Sequence, residues 1–118
     1  MDDTIQDLTG KLIAFRDARD WRQFHDLKNL LLSTTLEAAE LLELAQWKNT
    51  EQVEAALDDP AFKARLSEEC ADVFLYLLLI CERAGIDLAE AANAKIKRNN
   101  EKYPVDKARG TATKYTDL

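Results

Sequence analysis

Two stretches, residues 27–47 and 60–83, carry apolar side chains on nearly every side of a helical wheel. In the first, Leu30, Leu31, Leu32, Leu36, Leu41, Leu42, Leu44 and Trp47 spread around the whole turn; in the second, the run from Val73 to Cys81 does the same. A helix without a polar face must be covered on all sides. A chain of 118 residues builds one core and has difficulty enclosing two such helices alone. An all-α four-helix bundle is therefore expected, assembled as an oligomer that covers the remaining face.

Local signals place the other helices. Apolar spacing through Ile5, Leu8, Leu12, Ile13 and Phe15 predicts a helix near 4–19, capped by Thr4 or Asp3. Asp26 can cap the helix from 27, and the polar segment Asn49 to Asp59 holds room for a short one. Asp59-Pro60 opens the long third helix and Gly85 stops it. Asp87, with Glu90 three residues on, resembles a capping box for a helix over about 88–102, and Pro104 prevents its continuation. The polar tail 104–118 lacks periodicity and reads as extended chain. With three glycines, two prolines, no repeat and no linker, residues 1–118 read as a single domain without a many-stranded sheet.

Charge narrows the partners. A net charge of −6 disfavours a nucleic-acid polymer, because duplex binding needs a clustered basic surface. An acidic chain that handles a small polyanion needs divalent cations to cancel the repulsion. The apolar run 73–81 is well short of the roughly 20 residues of a membrane span. Cys70 and Cys81 fall in one helix, about 16 Å apart at 1.5 Å per residue, too far to pair. Together with the absence of a signal peptide, this suggests a soluble protein in a reducing, cytoplasmic setting.

Four carboxylates stand where a solvated surface would not put them. Glu37 and Glu40 lie at i and i+3, on a face that also holds Leu30, Leu41 and Leu44. Glu69 and Asp72 repeat the spacing, with Tyr76 and Ile80 continuing their stripe. A lone E-x-x-E is commonplace on exposed helices; the duplication and the apolar company of both pairs set this one apart. Glu43, which extends the series on a more polar side, reads as surface or as support behind the metal ligands, and Glu68 as ordinary surface charge. Unpaired carboxylates in an apolar groove are costly to ionise, and a hard divalent cation removes that cost. Di-iron bundles need Glu-x-x-His pairs, and the single histidine, His25, precedes the first acidic helix. Zinc would want Cys or His ligands. The all-carboxylate set favours Mg2+ or Mn2+, ions that complete their shells with water and substrate phosphates.

This arrangement, Glu37-x-x-Glu40 followed by Glu69-x-x-Asp72, resembles the signature of the MazG-like all-α nucleoside triphosphate pyrophosphohydrolases. Trp21-Arg-Gln-Phe-His25, Asn29-Leu-Leu-Leu32, Gln46-Trp-Lys48, Tyr103-Pro104 and Lys114-Tyr-Thr-x-Leu118 narrow the likeness to the dCTP pyrophosphatase branch. The resemblance covers the chain from about Asp20 to its end. It implies hydrolysis of a deoxynucleoside triphosphate, dCTP or a modified dCTP first, to monophosphate and pyrophosphate, a nucleotide-pool cleaning role. It assigns metal binding to Glu37, Glu40, Glu69 and Asp72, and base contacts to Trp21 and Trp47 with His25 beside the first. It assigns triphosphate contacts to Tyr76, Lys95, Asn99, Lys102 and Tyr103, and a homotetramer built as a dimer of dimers. A histidine that some relatives carry in the first helix is Leu12 here, and the segment between Trp47 and Pro60 is shorter.

The residue chemistry agrees. A Trp face suits base stacking, and Lys95, Arg98 and Lys102 share one side of the last helix. The expected mechanism has one or two Mg2+ ions between carboxylates and triphosphate, with a water oriented by Glu37 or Glu40 attacking the α-phosphorus. Two rivals stand beside it: the same reaction on dUTP or a broad nucleotide set, and a catalytically silent helical module whose acidic pairs form a binding face.

Overall fold

The computed structural model describes residues 2–118, and it is helical, with no strand among the described residues. Six α-helices occur in chain order: α1 (Ile5–Ala18), α2 (Leu27–Glu43), α3 (Thr50–Ala56), α4 (Pro60–Ala84), α5 (Leu88–Lys102) and α6 (Val105–Ala108), with 3-10 turns at Arg22–Phe24 and Tyr115–Asp117. The chain divides into two compact units, the first ending at Gly85 and the second running Ile86–Leu118.

The caps form where the sequence puts them. The Thr4 hydroxyl accepts from the Asp7 N–H at 3.1 Å, and the Asp7 carboxylate accepts from the Thr4 N–H at 2.9 Å. Asp26 accepts from the Asn29 N–H at 2.8 Å, Asn49 from Gln52 at 2.8 Å, and Asp59 from Ala61 at 3.0 Å. Each such cap is worth about 1 kcal/mol. Gly85 ends α4 at φ 70°, in the left-handed region that only glycine enters freely. Asp87 accepts from the Glu90 N–H at 3.0 Å; this is half of the expected capping box, and the return bond is not made among the described residues.

In the first unit, α2 packs along α4, and α1 packs against α4. Leu30, Leu44, Phe62, Leu78 and Leu79 form the buried core. Burying a side chain of this size contributes roughly 1.5–3 kcal/mol. Arg16 of α1 is also buried, with its Nε on Asp17 at 2.9 Å and its Nη1 on Glu82 at 3.2 Å. In the second unit, Tyr103 and Tyr115 meet edge to face with centroids 5.9 Å apart, and the Lys102 ammonium lies 4.6 Å from the Tyr115 ring.

Several expectations need correcting. Among the described residues there are six α-helices rather than a plain four-helix bundle: the four long ones expected, and the short α3 and α6. The second helix ends at Glu43, not near 47, because Leu44, Ala45 and Gln46 donate to carbonyls three residues back and tighten into turns. Trp47 then takes φ 69°, a strained conformation for a bulky residue that closes the segment without a glycine. The tail is not wholly extended: the Pro104 carbonyl accepts from Lys107 and Ala108 at 3.0 and 2.9 Å, so the proline that ended α5 also starts α6. One expectation needs no correction: a single chain does not bury α2 on all sides, and Leu31, Leu32, Leu36 and Leu42 remain 49–72 % exposed. No helix among the described residues is long and apolar enough to cross a membrane. Cys70 is exposed and Cys81 half-buried, and both are free thiols. Burial pushes the Cys81 thiol above its ordinary pKa.

Candidate metal centre and the pocket beside it

The side-by-side packing of α2 and α4 brings the acidic pairs together. One carboxylate oxygen each from Glu37, Glu40 and Glu69 lies within 4.8 Å of the other two. Glu37 and Glu69 are half-buried and Glu40 is exposed. Oε2 of Glu37 and Oε2 of Glu69 are buried without a hydrogen-bond partner among the described residues. Burial first, then the hydrogen bond and negative charge of Glu40, with smaller repulsion from Asp72 and Glu69, holds the Glu37 carboxyl above the ordinary carboxylate range. Glu69 is raised likewise, by burial, then by Glu40 and Asp72, with Arg65 weakly opposing. Asp72 stands outside the 4.8 Å group but acts on both by charge.

These observations test the fit of a cation. Three carboxylates converge from two helices, and two of their oxygens are desolvated with nothing to accept from. Orphaned buried acceptors of this kind cost about 1–3 kcal/mol each in neutral groups and more when charged. A hard divalent cation satisfies them and restores ionisation. The donors are all oxygen, which suits Mg2+ or Mn2+ and not zinc.

Beside the cluster, α1, α4 and the residues flanking the first 3-10 turn, Trp21 and His25, line a cavity of about 260 Å3. Leu12, Phe15, Leu75 and Leu79 make it largely apolar, and Trp21, His25, Tyr76, Asp72 and Arg16 supply its aromatic and polar walls. Trp21 stands edge to face on Phe15 at 5.6 Å, and the Arg19 guanidinium caps the Phe15 ring at 3.7 Å. Trp21 keeps 43 % of its surface exposed, so its ring has a face to offer. His25 is half-buried, and its Nδ1 is buried without a partner. Burial, then the charge of Arg16, pushes its pKa down, so the imidazole is neutral at neutral pH. Asp72 lines this cavity and charges the cluster, so it marks where the two meet.

The first unit thus groups Glu37, Glu40, Glu69, Asp72, Trp21, His25 and Tyr76. Trp47 does not line the cavity; it stands 92 % exposed in the turn after α2. Lys95, Asn99 and Lys102 lie on α5 and Tyr103 just beyond it, in the second unit. Arg16 was not singled out from the sequence. It continues the Leu8–Leu12 stripe at i+4, and a charge on an apolar stripe is the signal that marked the carboxylates.

Fold and site together define an all-helical protein with an acidic, cation-fitting cluster opening beside an aromatic pocket. The chain belongs to the MazG-like family, which matches residues 32–118. It is 41 % identical over 115 residues to dCTP pyrophosphatase 1 of Bos taurus, covering 98 % of this chain and 68 % of that one. To the Homo sapiens dCTP pyrophosphatase 1 it is 38 % identical over the same shares. The crystal structure of a pyrophosphatase from Archaeoglobus fulgidus superposes with a TM-score of 0.79 at 38 % identity, covering 88 % of this chain and 95 % of the other.

Proposed function

We propose that this chain is a nucleoside triphosphate pyrophosphatase that hydrolyses dCTP to dCMP and pyrophosphate, an activity that clears the nucleotide pool. The observation that carries the reading is the pair of buried, partnerless carboxylate oxygens on Glu37 and Glu69, opening beside an aromatic pocket of about 260 Å3. Relatives named dCTP pyrophosphatase 1 along 98 % of the chain support the base choice.

Glu37, Glu40 and Glu69, with Asp72 beside them, would hold Mg2+, and Mn2+ suits the same oxygens. When bound, the cation would offset the triphosphate charge against the acidic cluster and polarise the phosphoryl oxygens. Trp21 stacks on the base, with His25 and Tyr76 as its neighbours in the pocket wall, and stacking of this kind is worth about 1–3 kcal/mol. Glu37 or Glu40 orients a water and accepts its proton. The water oxygen bonds to the α-phosphorus, the bridging bond to the β-phosphate breaks, and pyrophosphate leaves. By resemblance to the family, Lys95, Asn99, Lys102 and Tyr103 would contact the triphosphate and Trp47 the base.

Leu31, Leu32, Leu36 and Leu42 give α2 an uncovered apolar side. A second copy covers it, in a homotetramer built as a dimer of dimers. The free thiols suit a reducing, cytoplasmic setting. A panel of deoxynucleoside triphosphates with Mg2+, scored by kcat/KM and by product, tests the reading. dCTP should lead and yield pyrophosphate; orthophosphate as product, or full activity in Glu69→Gln, refutes it.

A further inference from the structure

Arg16 is a buried cation that the proposed reaction does not use. Its side chain is 6 % exposed, yet it lines both the Trp21 pocket and a second, polar cavity of about 260 Å3 that also includes Glu82, Arg22 and Arg83. A guanidinium carries five N–H donors in a rigid plane. Nε gives one to Asp17 at 2.9 Å and Nη1 one to Glu82 at 3.2 Å, which leaves three, two of them on Nη2. The plane is thus anchored at two corners, one by a carboxylate 66 residues away on α4. Elsewhere the pocket wall near it is apolar, with Leu12, Phe15 and Leu79. Such a wall suits a ring and not a phosphate, and Asp72 repels phosphate where pocket and acidic cluster meet.

A fixed pair of parallel N–H donors selects a partner with two adjacent acceptors. Cytosine presents that pair on its pairing edge, O2 next to N3. Uracil and thymine place an N3–H donor between O2 and O4, so the same fork would meet a donor. We propose that Arg16 is the residue that reads the base: its free N–H groups donate to O2 and N3 of cytosine in the Trp21 pocket. Glu82 acts through Arg16 as a positioning residue. This rests on the reading of the pocket as the base site.

The test compares kcat/KM for dCTP and dUTP in the wild type, Arg16→Lys and Glu82→Gln, with thermal melts alongside. The wild type favours dCTP. Arg16→Lys keeps the charge but loses the fork, and lowers the dCTP-to-dUTP ratio roughly tenfold or more, the worth of one bidentate base contact. Glu82→Gln retains Arg16 and the side-chain volume and lowers the same ratio by a smaller factor, so the test stands even if Arg16→Lys does not fold. A residue that only supported the fold, or only gripped phosphate, would move both substrates together and leave the ratio unchanged. A ratio within twofold of wild type in the folded variants overturns the assignment. So does a wild type that hydrolyses dCTP and dUTP alike, which leaves pyrophosphohydrolysis intact. A wild type that turns over neither removes the base-site reading and this inference with it.

Discussion

Glu37→Gln removes one negative charge from the cluster while keeping the side-chain shape, and its effect should change sign with the cation. Without metal, Glu37 faces neighbouring carboxylate oxygens within 4.8 Å. Two unit charges at that distance repel by about 3.5 kcal/mol at an effective dielectric near 20, and by about 0.9 kcal/mol in bulk water. The cluster is partly open, so screening puts the gain from neutralising Glu37 near the lower figure, about 1 kcal/mol. In a domain of this size that is roughly 3–6 °C in Tm. The pH window follows from the direction of the shift. A carboxyl raised above 4.5 adds stability that is fully present below that pH and is lost as pH rises through its folded value. The advantage of the variant in EDTA should therefore be small at pH 4.5 and full at pH 7. Saturating Mg2+ should reverse the order, because a site filled at about 100 times its Kd gains about 2.7 kcal/mol and the variant has lost a ligand. Melting both proteins by calorimetry in EDTA and in MgCl2, at pH 4.5 and 7, reads all four states. A variant that melts at or below wild type in EDTA at pH 7, or that gains as much from Mg2+ as wild type, refutes the reasoning.

Trp21→Ala removes a stacking face that is 43 % exposed, so KM for dCTP should rise roughly 10- to 100-fold with little change in Tm; an unchanged KM would remove Trp21 from the base site. Leu78 is 1 % exposed between the packed helices, and Leu78→Ala should cost about 2–5 kcal/mol in a urea melt, against under 1 kcal/mol if the core collapses around the gap. Leu36→Lys charges the uncovered side of α2, where Leu36 is 58 % exposed. Light scattering should then report a smaller assembly than wild type, and an unchanged mass would place the subunit contact elsewhere.

The sequence was most informative where one local signal settled one local structure. Asp26, Asp59 and Gly85 bound their helices because a cap or a left-handed glycine acts within a single turn. The carboxylate cluster was legible for a related reason: i, i+3 spacing puts Glu37 and Glu40 on one face, and an apolar stripe says which way that face turns. The end of α2 was not legible, since apolar spacing continued to Trp47 while the backbone tightened at Leu44. Nor was α6, whose four residues are too few for a period to show. Arg16 was missed because its partner Glu82 lies 66 residues on, and only tertiary packing reveals such a pair.

The bond that breaks is the most direct test of the central claim, that the acidic cluster directs water to the α-phosphorus of dCTP. Hydrolysis in 18O-enriched water with Mg2+, followed by mass spectrometry of the products, locates the attacked phosphorus. The account predicts one labelled oxygen in dCMP and none in pyrophosphate. Label in pyrophosphate, or release of dCDP with labelled orthophosphate, would contradict it.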